Sequence, residues 1–311
     1  MSEHSKHRIV VIGTGVMGSG IAAGFIANGA DVVLLGRSAA RCEQAQGAAL
    51  KLAAALVPQA AGLLPARLQT GLADGWDDWH GLSLVIETVA EDLALKQALF
   101  AMLDSRVPAQ VPIGSNSSGF PISQIAQGLA GAGRMFNLHY FMPAHVVPLV
   151  EVVLGAASDP VLGQQVCELF TALGKKPVLV RKDIPGFLAN RIQHALMREA
   201  LSLIEAGIAS AEDVDMAVRY SFGFRYAAIG PILQKEISGW DTVCSAARAI
   251  YPSLSNLSEV PACLADMVAR GDTGMKSGRG FIQWTPETIA ATKSRYDQKL
   301  QAAFDILKSD A

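Results

Sequence analysis

No long run of charge of one sign, no closely spaced cysteines and no apolar stretch of membrane-spanning length occur in this chain of 311 residues. Each absence removes a class of protein. The formal charge is −2 and the two signs are interspersed, which leaves no basic face for nucleic acid or an anionic membrane. Cys42, Cys167, Cys244 and Cys263 are scattered, form no CxxC pair and keep no spacing with histidine that suits zinc. Buried thiols of a reducing compartment are therefore expected, with no metal centre. The first residues, MSEHSKHR, are polar and run straight into a strand, so no export signal is read and a cytoplasmic protein is expected. Half of the residues are apolar and the length exceeds that of a usual domain, so two domains with separate cores are the expectation.

The apolar run Ile9 to Ile12 leads into GTGVMGSG and then an alanine-rich helical pattern to about Asn28, with a second strand at Asp31 to Leu35. Strand, glycine turn, helix and strand at this spacing form the βαβ unit of a dinucleotide site. Gly13 allows the tight turn, Gly15 lets the backbone approach a pyrophosphate and Gly18 permits close packing of helix on strand. Val16 and Met17 lie between these glycines at the helix N-terminus, which faces the phosphates, and are counted with the cofactor site. An NAD site usually carries an acid about 20 residues further on for the ribose hydroxyls, but here the strand ends in Leu35, Gly36, Arg37 and Ser38. Gly36 removes the carboxylate that would repel a 2′-phosphate, and Arg37 with Ser38 offers a cation and a hydroxyl to it, so NADP or NAD is expected with NADP preferred. The alternative is that Arg37 is a solvated residue beside an NAD site lacking one hydrogen bond.

Asn137 to Val153, NLHYFMPAHVVPLVEVV, reads as strand, turn and strand. Met135 to Phe141 and Pro148 to Leu154 are rich in β-branched, aromatic and aliphatic residues, and Pro143 and Pro148 bracket the break. If the segment folds back near His145, His139 and Glu151 lie opposite each other. A carboxylate so placed fixes the imidazole tautomer and stabilises its protonated form, leaving the other ring nitrogen to take a proton from an alcohol. A histidine satisfied by a backbone carbonyl, with a glutamate at a strand end, is the plainer alternative.

Between these segments, Ala39 to Leu56 is helical, residues up to Leu84 read as loop, Leu84 to Glu87 as a strand, and Glu91 to Leu103 as a helix carrying Lys96. Val111 to Ser115 is a strand ending in Ser115, Asn116, Ser117, Ser118 and Gly119. Small polar residues at the C-terminal end of a strand sit where an open α/β sheet binds ligands, although turn and cap chemistry alone would use the same residues. A helix at Asp159 to Leu173 and a strand at Pro177 to Val180 follow. Beyond Lys182 the periodicity is helical, with one short strand near Phe281. The expected fold is therefore α/β, with a Rossmann-type dinucleotide-binding domain at residues 1–182 and a helical domain at residues 183–311, the active site lying in the cleft between them.

Taken together, GTGVMGSG at Gly13, IETVAEDLALKQALF at Ile86, SNSS at Ser115, LHYFMPAHVVPLVEVV at Leu138, PGFLANR at Pro185 and MKSGRGF at Met275 resemble the 3-hydroxyacyl-CoA dehydrogenase superfamily in nearly every part of the chain. The resemblance implies His139 as catalytic base with Glu151 as its partner, and Ser118 and Asn190 as groups bonding the substrate oxygen. It also implies Glu91 and Lys96 at the cofactor site, Lys276 reaching that site from the second domain, and a homodimer formed through the helical domains. Three positions depart from the pattern. Met142 stands where the family usually has an asparagine touching cofactor and substrate, Gly36 stands at the usual acid, and residues 41–81 hold only Arg41, Lys51 and Arg67 as cations for a CoA phosphate.

Within that superfamily, the stretch from Asn190 to Pro231 resembles the branch that includes lambda-crystallin and L-gulonate 3-dehydrogenase more than the acyl-CoA branch. Arg225, between Phe224 and Tyr226 in an otherwise apolar stretch, suits bidentate binding of a free carboxylate, or an ion pair with Glu236. The expected reaction is reversible hydride transfer between NAD(P) and the 3-carbon of a small 3-hydroxy acid or 3-hydroxyacyl-CoA. The alternatives are a strict 3-hydroxybutyryl-CoA-type enzyme, an imine or keto-acid reductase, and a non-catalytic crystallin-like protein.

Overall fold

The computed structural model describes residues 7–308; the expectation drawn from the first residues falls largely on 1–6, outside the described residues. β1 (Arg8–Ile12) sits inside the sheet and sends Ile9 and Val11 to one core, Val10 and Ile12 to the other. That two-sided burial is why it reads as an unbroken apolar run instead of an alternating one. α1 (Val16–Ala27), β2 (Asp31–Gly36) and α2 (Ala39–Leu56) follow, then β3 (Leu68–Leu72), β4 (Leu84–Glu87), α3 (Leu93–Arg106) and β5 (Ile113–Ser115). A single turn, α4 (Ile122–Ile125), precedes β6 (Met135–Tyr140), β7 (Leu149–Leu154), α5 (Pro160–Ala172) and β8 (Lys176–Val180).

The sheet order is β3-β2-β1-β4-β5-β6-β7-β8, with every neighbouring pair parallel except β6 and β7. The order reverses between β1 and β4, and open sheets of this kind bind ligands beyond the strand C-termini at that point. The α/β dinucleotide-binding architecture expected from the glycine motif is the one observed.

Several local expectations differ. Residues 58–83 are not all loop, since β3 adds a parallel edge strand to β2. Its sequence, LQTGL, is short and carries a glycine, so periodicity gives it no signal; Gly71 is needed because a Cβ there would lie 2.7 Å from the Trp76 ring that covers this part of the edge. α3 starts two residues after Glu91, because Asp92 is the N-cap and accepts from the Leu95 N–H at 2.9 Å. Cys244 is exposed and Cys263 half-buried, against the expectation of four buried thiols.

The chain divides into compact units at Met1–Arg191 and Ile192–Ala311. α6 (Ala189–Glu205) begins in the first, and α7 (Ala211–Val218), α8 (Pro231–Ser238), α9 (Trp240–Ile250), α10 (Ala262–Ala269) and α11 (Pro286–Lys308) make up the second. The expected strand near Phe281 is only a pair of isolated bridges, Gly274 to Arg279 and Arg279 to Gln283, which pin a loop. No helix of the described residues is long and apolar enough to cross a membrane.

Candidate active site

The antiparallel register of β6 and β7 pairs His139 with Glu151, both almost fully buried. Imidazole Nδ1 lies 2.7 Å from Glu151 Oε2, and Nε2 lies 3.0 Å from Ser118 Oγ. An ionised carboxylate only accepts, so Nδ1 carries the hydrogen and Nε2 is left with its lone pair toward Ser118. The other carboxylate oxygen, Oε1, accepts from the backbone N–H groups of Leu188 at 3.0 Å and Ala189 at 2.7 Å, where α6 begins. Burial alone would raise the pKa of Glu151, but the hydrogen bond from His139, the Ala189 amide, the electrostatic attraction of the His139 ring and the Leu188 amide together hold it below the usual value. Glu151 thus joins the imidazole to the positive end of a helix and stays charged.

Phe187, just before these amides, has φ 49°, a left-handed conformation that is unusual for an aromatic residue. Its ring lies edge-on to His139 at 5.3 Å, and Phe141 does the same at 4.6 Å. The two rings wall the imidazole and leave its Nε2 end to Ser118.

The loop that carries Ser118 is held by a polar network between the ends of β4 and β5. Glu87 is fully buried; its Oε1 meets Lys96 Nζ at 2.7 Å and its Oε2 accepts from Ser115 Oγ at 2.6 Å. Lys96, 1% exposed, also lies 3.3 Å from Glu91 Oε2, and Glu91 Oε1 accepts from the Ser117 hydroxyl and the Gly119 N–H. Burial would raise the pKa of Glu91, but the Ser117 and Gly119 hydrogen bonds and Lys96 lower it on balance. Lys96, expected at the cofactor, therefore has its charge committed to two carboxylates that brace the loop on either side of Ser118. Asn116 accepts from the Tyr140 N–H at 3.0 Å, tying the same loop to the strand of His139.

The glycine motif fits a dinucleotide. Gly13 has φ 124°, and a side chain there would run into Thr88; one at Gly18 would run into the Gly13 carbonyl. Around Gly15 there is open space, and Val16 beside it is strongly exposed, while Met17 packs on the core. Backbone can therefore approach a pyrophosphate at Gly15. At the end of β2, Gly36 is buried and Arg37 is exposed with no partner among the described residues. Ser38 caps α2, its Oγ accepting from the Arg41 N–H at 3.4 Å.

Of the remaining residues singled out, Met142 is 66% exposed immediately after Phe141, and Asn190 is half-buried one residue beyond the Ala189 amide. Arg225 and Lys276 belong to the second unit and are exposed. Arg225 Nε donates to the Ser221 carbonyl at 3.0 Å, and the ion pair with Glu236 is not formed. Two further residues gave no sequence signal. Lys175, 6% exposed, donates to the carbonyls of Ala144 at 2.7 Å and Val147 at 3.0 Å and so holds the turn between β6 and β7; Thr14 packs against Gly36.

A phosphate-binding turn at the switch point of a mostly parallel sheet, with a histidine held by a buried carboxylate near the end of another strand of that sheet, is the arrangement of a nicotinamide-dependent oxidoreductase. Comparison with known proteins agrees. Residues 8–184 match the 3-hydroxyacyl-CoA dehydrogenase NAD binding domain and residues 186–284 the 3-hydroxyacyl-CoA dehydrogenase C-terminal domain, and the chain belongs to this family. It is 32% identical over 304 residues to 5-formyl-3-hydroxy-2-methylpyridine 4-carboxylate 5-dehydrogenase of Mesorhizobium japonicum, covering 96% of this chain and 98% of that one. It is 35% identical over 244 residues to an L-carnitine dehydrogenase of Streptomyces griseus subsp. griseus, covering 75% and 70%. Among solved structures, a 5-formyl-3-hydroxy-2-methylpyridine 4-carboxylic acid 5-dehydrogenase, described as an NAD+ dependent dismutase, superimposes with a TM-score of 0.88 at 31% identity, covering 97% of this chain and 99% of that one.

Proposed function

We propose that this protein is a dehydrogenase of a small hydroxy acid bearing a free carboxylate, with His139 as general base. The observation that carries this is the Ser118–His139–Glu151 relay, in which Nε2 is free to accept and Nδ1 is fixed by a buried charge. His139 Nε2 takes the hydroxyl proton of the substrate as hydride leaves its carbon; in the reverse direction the imidazolium returns that proton to the carbonyl oxygen. Ser118 holds the reacting oxygen at Nε2, and Glu151 offsets the positive charge that forms on the ring. Asn190, in the first turn of α6, is the second group assigned to that oxygen. The nicotinamide, when bound, supplies the hydride acceptor and donor.

Three features favour a free acid over a thioester. Arg225 has no carboxylate partner among the described residues, residues 41–81 offer few cations for a CoA phosphate, and two of the similar proteins are named for small molecules that are not CoA esters. The test is a panel of free 3-hydroxy acids and 3-hydroxyacyl-CoA esters read by reduced-nicotinamide absorbance. Turnover confined to the CoA esters would overturn the assignment.

For the cofactor, NADP preference is supported by Arg37 and Arg41, two exposed guanidinium groups without side-chain partners among the described residues at the N-terminus of α2, where the helix dipole would also favour an anion such as a 2′-phosphate. A homodimer in the cytoplasm is the proposed state. Along the described part of the second unit only Leu201 is a buried apolar side chain, whereas Tyr220, Ile232 and Ile237 are among many exposed ones, more apolar surface than a monomer usually leaves in water. Light scattering should give a mass of two chains, and Ile237→Asp should lower it toward one.

A further inference from the structure

Gly36 closes β2 with a backbone outside the left-handed region, so its lack of a side chain is not explained by conformation. Space explains it. A Cβ at this position would lie 2.6 Å from Thr14 Cγ2 and 2.7 Å from Cys42 Sγ, well inside the 3.5–4.0 Å or so of an ordinary contact. Neither neighbour stands free to withdraw as a whole. Thr14 follows Gly13, whose N–H is bonded to the Leu35 carbonyl at 2.8 Å, and Cys42 is buried with its thiol donating to the Gly71 carbonyl at 3.2 Å. The Thr14 hydroxyl lies 3.5 Å from the same Cβ position, half-buried, and has no hydrogen-bond partner among the described residues.

We propose that Thr14 is a specificity-determining residue of the cofactor site: with Cys42 it fills the space an acidic side chain at 36 would need, and its hydroxyl takes over the hydrogen bond to the adenosine ribose. An acid at 36 and a threonine at 14 are then alternatives. The exchange replaces a charged acceptor with a neutral group that both donates and accepts, so the 2′-position is no longer defended against phosphate, and discrimination passes to Arg37 and Arg41. This builds on the dinucleotide site and not on the preference for NADP.

The test is a set of equilibrium titrations with reduced NAD and reduced NADP, each with a thermal unfolding curve as a fold control. Thr14→Val keeps the shape and removes the hydroxyl; it should weaken both cofactors by roughly 3- to 10-fold at an unchanged unfolding temperature. Gly36→Ala should weaken both by roughly tenfold or more in the wild-type background and by less than about threefold in a Thr14→Ala/Cys42→Ala background, a non-additivity expected only for groups in contact. Equal losses in the two backgrounds, a harmless Gly36→Ala in the wild type, or a Thr14→Val protein that binds like wild type would each overturn the proposal. If Gly36→Ala does not fold, Thr14→Val still decides. A wild type that favours NAD while the cycle remains non-additive would count against the NADP preference alone.

Discussion

Replacing Glu151 by glutamine changes one oxygen to an NH2 group and removes a charge, and the geometry fixes which way the new amide turns. If its nitrogen faced Leu188 and Ala189, two backbone donors would meet a donor; if it faced His139, only one would, and the imidazole can escape by moving its proton. The second arrangement wins. Nδ1 then becomes the acceptor and Nε2 carries the hydrogen, which turns the end facing Ser118 from a base into a donor. The imidazolium formed during oxidation also loses its counter-charge. Together these should lower kcat by about 10²- to 10⁴-fold.

Stability should fall by about 1–3 kcal/mol, because the two amide bonds survive as neutral ones and only their charge assistance is lost. The acid limb of stability carries the same signature. Glu151 titrates below its usual value when folded, so it contributes stability above the unfolded pKa and loses it as pH falls through the folded one. The glutamine variant should lack this contribution, and its unfolding midpoint should therefore fall less steeply than that of wild type as the solution is acidified. Stopped-flow turnover and urea unfolding across the acid range are the assays. A variant within threefold of wild-type kcat would show that Nε2 is not the proton acceptor, whatever its stability.

His139→Ala should lose about 10²- to 10⁴-fold in turnover while binding reduced cofactor nearly as wild type, measured by fluorescence titration; near-normal turnover would remove it from the chemistry. Arg225→Met should raise KM for a free hydroxy acid roughly 10- to 150-fold, the equivalent of about 1.5–3 kcal/mol from a charge-assisted pair, and leave a CoA ester unaffected. Wild type should show a higher kcat/KM with NADP than with NAD, and Arg37→Leu should erase most of that ratio. The preference should shrink as salt is added, because the guanidinium is exposed; a ratio unmoved by both perturbations would make Arg37 a bystander.

The register of His139 and Glu151 was legible because two prolines mark the turn and both arms have strand composition, so counting outward from the middle pairs the right residues. The glycine turn was legible for a similar reason, since each glycine answers a local steric demand. Glu87 was not, although it stands beside Glu91 in the same motif. Whether a glutamate at a strand end is solvated or fully buried depends on Lys96, nine residues on, and Ser115, 28 residues on, and no local pattern reports such partners. Gly36 was legible as a missing acid, but its cause lay in Thr14 and Cys42, which become its neighbours only when the sheet forms and α2 packs.

Lys175 is the strongest case of this kind and leads to a prediction of its own. In sequence it is the first of two adjacent lysines that look equally solvated, yet Lys176 is exposed while Lys175 turns inward beneath the hairpin, its Nζ 5.4 Å from the Tyr140 ring centre and about 3 Å from two carbonyls, with no carboxylate partner among the described residues. Burial lowers its pKa from 10.5 to about 8. A fall of that size costs folding about 3 kcal/mol while the group is charged in both states. Below about pH 8 the cost is paid in full. Between about 8 and 10.5 the unfolded chain holds a proton that the folded chain has released, so stability should rise with pH; above that range both forms are neutral and the cost is gone. Tyr140, raised well above its usual 10 by burial, acts in the opposite sense once the unfolded tyrosine ionises, which confines the rise to the lower part of the range. Lys175→Met strips the Ala144 and Val147 carbonyls of their donor and should be less stable than wild type at neutral pH, but its stability should lack the rise. Urea unfolding of both proteins between about pH 7 and pH 10 compares the slopes directly, and equal slopes would show that the ammonium is solvated in the folded protein and that the cage around it is not closed.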